Sequence, residues 1–257
     1  MWELYDALLD GIDENALADD YILGANHAYV RSGNGVGICS SMEDTWRSAM
    51  LPHKHIGMPL RELAECIKSW DFVEAELALA AINAYYNDLD KLRALGLNIA
   101  EHKGYEDRAN DPFIQLQREV RDKNVTVIGH FPYIDQLFTP VSNCSIIEKF
   151  NPKDGDYPEQ AADYLLPVSD FVLISTYTLV EKSLPRFLEL SKNAHVTLVG
   201  PACPVTPILH AFGIDDIAGF AVRDGNAARD ISLGSGGKMH AVGQKVNLRK
   251  VDLGAAH

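Results

Sequence analysis

The chain has 257 residues, of which 47% are hydrophobic and 23% charged, and its formal net charge is −13. That composition suits a globular protein with a substantial core. The acidic balance disfavours nucleic acid and anionic membranes as partners, and no apolar run approaches the roughly 18 residues that span a bilayer. The N-terminus, MWELYDALLDGIDENALADD, lacks the basic start and apolar stretch of a signal peptide. The expected compartment is therefore the cytoplasm. The four cysteines, Cys39, Cys66, Cys144 and Cys203, lie far apart with no C-x-x-C pair, which argues against a structural zinc knuckle and against a disulfide framework.

LYDALLDGI has apolar residues at helical spacing and predicts an amphipathic helix. DYILGANHAYVRSGNGVGICSS then reads as two strands around a Ser-Gly-Asn-Gly turn. The loop LPHKHIGMP follows, and LRELAECIKSW predicts another helix. In DFVEAELALAAINAYYN, Asp71 is the expected N-cap, and Val73, Leu77, Ala80, Ala81 and Ala84 share one face. The first part thus reads as a small α+β unit. From about Gly96 to Asp111 the periodicity dissolves into a polar stretch, the expected boundary between domains of residues 1–110 and 111–257. PFIQLQREVRDKN predicts a helix leading into the second part.

From Val125 short β-branched runs alternate with helical segments. VTVIG, CSIIEKF, FVLIS, VTLVG and IAGFAV are the strand candidates. PEQAADYLLPV, LVEKSLPRFLELSKN and TPILHAFGI lie between them, Thr206-Pro207 marking a helix start. Buried strands separated by crossovers signal a mostly parallel sheet covered on both faces. The fold class is α/β, a small α+β domain followed by a Rossmann-like one. The tail DISLGSGGKMHAVGQKVNLRKVDL is glycine-rich and is expected to add a short strand.

In such sheets ligands bind beyond the carboxyl ends of the strands. The groups expected at that rim are His130, Phe131, Pro132 and Tyr133, then Glu148, Thr176, Thr178, Gly200, Pro201, Cys203 and Asp224. Gly129-His130-Phe131-Pro132 lacks the later glycines of a dinucleotide fingerprint, so close approach of a pyrophosphate is disfavoured. His130 reads as a metal ligand, a general base or a loop hydrogen-bonder. Glu148 lies about twenty residues beyond Gly129, where an acidic residue grips a ribose in dinucleotide folds, and it reads equally as a surface partner of Lys149. Thr178 and Glu181 fit a capping box, which leaves Thr176 as the better site candidate. Cys203, near a helix start, reads as a soft metal ligand or a small buried residue. His53 and His55 form an H-x-H pair in a loop, whereas His27, His102, His195, His210 and His240 have no evident partner.

IGHFP after the first strand, PEQAADYLLPVSDFVLISTYTLV, LVGPACP and the LREL…SW…LAAINA pattern together resemble a two-domain bacterial and archaeal family. Its second domain is named for heavy-metal chelation, and its first is similar to the small N-terminal domain of enolase. The resemblance covers nearly the full length and implies a cleft between the domains. It also implies that Asn83, in AAINA, faces that cleft, although Asn at a helix end is equally a C-cap. This chain departs from the family pattern at Glu181 and Lys182, where Asn and Gly are usual, and at GPACP, where GPStP is usual.

Three readings follow. The first is a binding protein for a heavy metal or metal chelate, with a transition metal as the implied cofactor and His130, Glu148 and Cys203 as its ligands. The second is an enzyme acting on a small nucleoside-like or aromatic substrate, with Phe131 and Tyr133 stacking the ring and His130 moving protons. The third is a non-catalytic partner protein, in which a homo-oligomer covers the apolar surface of the first domain.

Overall fold

The structure, a computed structural model, describes residues 2–41, 47–100 and 108–254. The first lobe is organised around α3 (Phe72–Tyr86). Asp71 caps it as predicted, its carboxylate accepting the Glu74 N–H at 3.1 Å. The expected single buried face is not what forms: every residue from Glu74 to Ala84 is buried. The alanines explain this, because they let other elements close in from more than one side. Strands β1 (Asp20–Leu23), β2 (His27–Ser32) and β3 (Gly35–Ser40) form an antiparallel sheet in that order. At Gly37 an added Cβ would fall inside the van der Waals radius of the Ala80 carbonyl, so glycine sets how closely β3 approaches α3. Two strands were predicted here and three form; the extra reversal is at Gly24-Ala25-Asn26, a weak turn signal.

Helix α1 (Glu3–Asp10) buries Leu4, Tyr5, Leu8 and Leu9, and α2 (Leu60–Glu65) covers part of α3. Helix α4 (Leu89–Ala94) follows α3 directly, capped by Asp88. His102 and the middle of the polar stretch read as a boundary lie outside the described residues.

The second lobe carries a six-stranded sheet in the order β5-β4-β6-β7-β8-β9. Its strands are β4 (Asn124–Ile128), β5 (Asn143–Ile147), β6 (Phe171–Ser175), β7 (His195–Val199), β8 (Asp216–Val222) and β9 (Gly243–Arg249). All neighbours pair in parallel except β8 and β9. The predicted strands are present, and the glycine-rich tail contributes the antiparallel edge. Because β4 sits between β5 and β6, the winding reverses there, at a topological switch point.

The helices are shorter than the pattern implied. Helix α5 is only Pro112–Leu116, α6 is Ile134–Leu137 and α7 is Ala162–Leu165. The predicted helix over 179–193 breaks into α8 (Tyr177–Glu181) and α9 (Leu184–Leu190). The break is Lys182, in the left-handed region at φ 64°, where the related pattern has glycine. Its ammonium is buried, donates to the carbonyls of Ser69 and Val180, and lies against the Trp70 and Phe72 rings. Burial lowers its pKa to about 8. Helices α10 (Gly225–Ser232) and α11 (Lys250–Gly254) complete the chain.

The lobes share one core. Leu4, Leu79 and Ile82 of the first belong to the same buried cluster as Leu179, Leu198 and Val246 of the second. A second seam joins Tyr29, Val36 and Ile38 to Phe220, Val222 and Ala228. Polar clasps lock the register: Tyr5 Oη donates to the Leu179 carbonyl at 3.1 Å, and Tyr177 Oη to Glu76 Oε1 at 3.1 Å. Among the described residues no helix is long and apolar enough to cross a membrane.

Candidate functional site

A cleft of about 590 Å³ lies beyond the carboxyl ends of β4 and β7, alongside the middle of β8. The first lobe closes one side with His27 and Ile38, from β2 and β3. The segment after β4 supplies Phe131, Pro132 and Tyr133, and the turn after β7 supplies Gly200 and Pro201. These five predicted residues come together. Tyr133 takes a left-handed conformation, φ 76°, and is more than half exposed. Phe131 is anchored behind it against Phe113, with ring centroids 5.1 Å apart. At Gly200, φ 155°, a Cβ would collide with Thr176 Oγ1. Thr176 is thus a buried buttress under the rim, its N–H donating to the Val199 carbonyl at 3.1 Å.

Glu148 and Thr178 line a separate, smaller hollow of about 220 Å³ at the switch point, between Gly129 and Ser175. Glu148 is a latch for its own loop. Its carboxylate accepts the N–H groups of His130 and Phe150, each at 2.7 Å, and of Asn151 at 3.2 Å. Burial alone would raise its pKa, but these backbone donors outweigh burial and hold it below the usual carboxylate value. The predicted capping box does not form: Thr178 lies inside α8 and donates to the Ser175 carbonyl at 2.7 Å, and Glu181 accepts from Lys149 Nζ at 2.6 Å. The helix start at Thr206 is as predicted, with its hydroxyl accepting the Ile208 N–H at 3.4 Å.

His130 is nearly enclosed. Its Nδ1 lies 2.9 Å from Asp156 Oδ2, and its Nε2 lies 2.6 Å from Lys153 Nζ and 3.2 Å from Asp135 Oδ2. Asp224 caps α10, accepting the Ala227 N–H at 3.0 Å. Asn83 is buried mid-helix, and the C-cap of α3 is Asn87 instead. The Asn83 amide donates to the carbonyls of Ile38 at 3.3 Å and Ala202 at 2.8 Å, tying α3 to both walls of the seam. Cys203 is fully buried, and burial pushes its thiol well above the ordinary value. The trio of His130, Glu148 and Cys203 therefore does not assemble. Among the described residues no group of three or more His, Cys, Asp or Glu side chains is placed to hold a metal ion.

Sequence reasoning missed His27 and His240, which the topology brings to the same cleft. Burial lowers the pKa of His27, and its Nδ1 is enclosed without a hydrogen bond among the described residues. It also missed Phe220, Gln244 and the Lys245–Asp111 ion pair, 2.7 Å, on the far wall. All except His27 and Asp111 come from β8, β9 and the glycine-rich tail, whose strand pairing carried no strong local signal.

A family model described as "Putative heavy-metal chelation" matches residues 111–252, and a second model with the same description matches residues 5–86. The chain belongs to the DUF364 family. A DUF364 protein of unknown function from Desulfitobacterium hafniense has a crystal structure that superposes with a TM-score of 0.90 at 44% identity, over 97% of this chain and 99% of that one. A second, from Pyrococcus horikoshii, gives a TM-score of 0.75 at 19% identity over 96% and 98% of the two chains, and shows the shared fold. An uncharacterized protein of Methanocaldococcus jannaschii is 27% identical over 227 residues, 84% of this chain and 83% of its own length. The DUF364 description makes metal handling the coarse functional class.

Proposed function

We propose that this DUF364 protein binds a metal carried in an organic chelate, seated in the cleft between the lobes. The observation that carries the reading is the cleft's chemistry: aromatic and apolar walls with a few polar groups at the edges. A bare ion finds no closed set of protein ligands among the described residues. A chelate brings most of its own ligands and needs apolar surface for its organic faces. Phe131, Tyr133 and Phe220 supply that surface. His27, kept neutral by burial, and the exposed His240 offer imidazoles to an open coordination position. The volume suits a ligand of a few dozen atoms, within the roughly 300–1,000 Å³ of ordinary ligand sites.

The test uses untagged protein titrated with a zinc tetrapyrrole, with a copper–phenanthroline complex and with the aqueous ions alone. The chelates are expected to shift their absorbance and raise the melting temperature, and Tyr133→Ala and His240→Ala to weaken that binding about tenfold. No response to either chelate, or Tyr133→Ala and His240→Ala variants that bind the chelates as the parent does, would overturn the reading. A second reading, an enzyme acting on a small aromatic or nucleoside-like substrate, is supported by the His130–Asp156 pair next to the aromatic rim. Competition of free adenosine with the chelate would favour it.

A further inference from the structure

His130 Nδ1 faces both oxygens of Asp156, at 2.9 and 3.0 Å. The Asp156 side chain is 3% exposed and that of His130 is 6% exposed. An ionised carboxylate only accepts, so Nδ1 carries a proton, and it is the neighbouring ammonium that calls for a lone pair on Nε2. The Lys153 ammonium, a pure donor, sits on that lone pair at 2.6 Å. Asp135 Oδ2 lies 3.2 Å from the same Nε2 and 3.7 Å from Lys153 Nζ. Two acceptors this close repel one another unless a cation lies beside them, and the lysine supplies it.

We propose that His130 Nε2 and Asp135 form an open two-ligand seat for a first-row divalent transition metal, which Lys153 fills as a tethered cation until the metal displaces it. Four features support this. The nitrogen–oxygen spacing fits: metal–nitrogen and metal–oxygen bonds of about 2.0–2.2 Å put adjacent donors roughly 2.9–3.4 Å apart, depending on the coordination angle. Asp156 on the far nitrogen provides the carboxylate–histidine backing that orients metal-bound imidazoles and fixes their tautomer, and it lies on the wrong side of the ring to be a third ligand. Glu148 pins the His130 backbone N–H at 2.7 Å, so the main chain that carries the ring is held as well as the ring. Lys153 and Asp135 are each more than half exposed, so the lysine swings away into water at the cost of one hydrogen bond and a long, exposed ion pair. Imidazole and carboxylate suit zinc, nickel, cobalt or copper. The remaining coordination positions stay open to water or to an organic chelator, and His130 directly precedes the rim residues Phe131 to Tyr133. The proposal deepens the metal-handling reading and rests on it for its biological sense.

The test is titration of the untagged full chain with cobalt(II), followed by its visible spectrum, and with zinc(II), followed by calorimetry. Lys153→Met is expected to raise affinity at least fivefold, because it removes the competing ammonium. Asp135→Asn, an exposed change that leaves the core intact, is expected to lower affinity at least tenfold. In the His130→Ala/Lys153→Met double variant the gain is expected to vanish. An unchanged or lower affinity in Lys153→Met, full affinity in Asp135→Asn, or a gain that survives loss of His130 would each sink the proposal. If a tetrapyrrole still seats in the cleft while Lys153→Met changes nothing, this inference alone falls. If cobalt behaves as expected and no chelate binds, only the cleft reading falls.

Discussion

Asn87 reaches across the seam and holds the backbone of Val205: its Oδ1 accepts the Val205 N–H at 2.8 Å, and its Nδ2 donates to the neighbouring Cys203 carbonyl at 2.9 Å. One side chain at the end of α3 thereby completes two buried backbone groups of the other lobe. Asn87→Ala strands both, at about 1–3 kcal/mol for each unsatisfied group. Urea denaturation is expected to show a loss of about 2–4 kcal/mol, and thermal melting a drop of roughly 5–15 °C. Asn87→Asp keeps the acceptor but sets a buried carboxylate oxygen against the Cys203 and Phe220 carbonyls, and is expected to cost at least as much as Asn87→Ala.

Gly37 is set by contact with helix backbone. Its missing Cβ is the space that the Ala80 carbonyl and the Ala84 N–H of α3 occupy. Gly37→Ala pushes the hairpin off α3 and is expected to cost about 3 kcal/mol or more, above the usual range for overpacking because backbone cannot rotate aside. Gly33→Ala, at a turn with open space around it, loses only the left-handed preference and serves as the control.

At the amino end of the sheet, His195 Nε2 lies 2.9 Å from Asp216 Oδ2. The Asp216 hydrogen bond raises the imidazole's pKa against the opposing effect of burial. A raised folded-state value means that this stabilisation is complete below the ordinary histidine pKa of about 6.5 and fades as pH rises through the folded value. The stability lost in His195→Gln is therefore expected to be larger at about pH 6 than at about pH 9. Comparing variant with parent at each pH cancels the opposite slope from His27, whose pKa burial lowers.

Glu148 works in the other direction. Its folded pKa is depressed, so its contribution is complete above the ordinary carboxylate value, about 4.3, and is lost as pH falls through the folded value. Glu148→Gln is expected to flatten the acid limb of the stability curve. Hydrogen exchange at the amides of His130, Phe150 and Asn151 should quicken in the same variant; unchanged protection there would contradict the latch.

Cys203 is sealed in the shared core, and its thiol is pushed up by burial. It is expected to resist a thiol reagent in the native state and to react at once in urea. Cys203→Ser should cost about 1–3 kcal/mol through its buried hydroxyl, with zinc and chelate affinities unchanged.

What was legible in the sequence was whatever repeats locally. The β-branched runs from Val125 to Val222 gave the parallel sheet, and Asp71 and Thr206 marked two helix starts, because both signals sit within a few residues. The aromatic rim at Phe131 to Tyr133 was legible for the same reason: it replaces a pattern that would otherwise follow Gly129. The roles of Glu148, Cys203 and Asp224 were not, since a carboxylate that accepts backbone N–H groups and one that faces a ligand look alike in sequence. His27 and His240 are over two hundred residues apart, and only the folded topology brings them to one cleft. Asp156, about 26 positions beyond His130, carried no motif at all.

The hydrocarbon interior that runs unbroken from α1 through α3 to β9 bears on how any guest enters. Swinging the halves apart like a clamshell would bare that interior to water, so a guest of the proposed cleft would have to enter over the rim, where Tyr133 and His240 are exposed. X-ray scattering should then give the same radius of gyration with and without the guest.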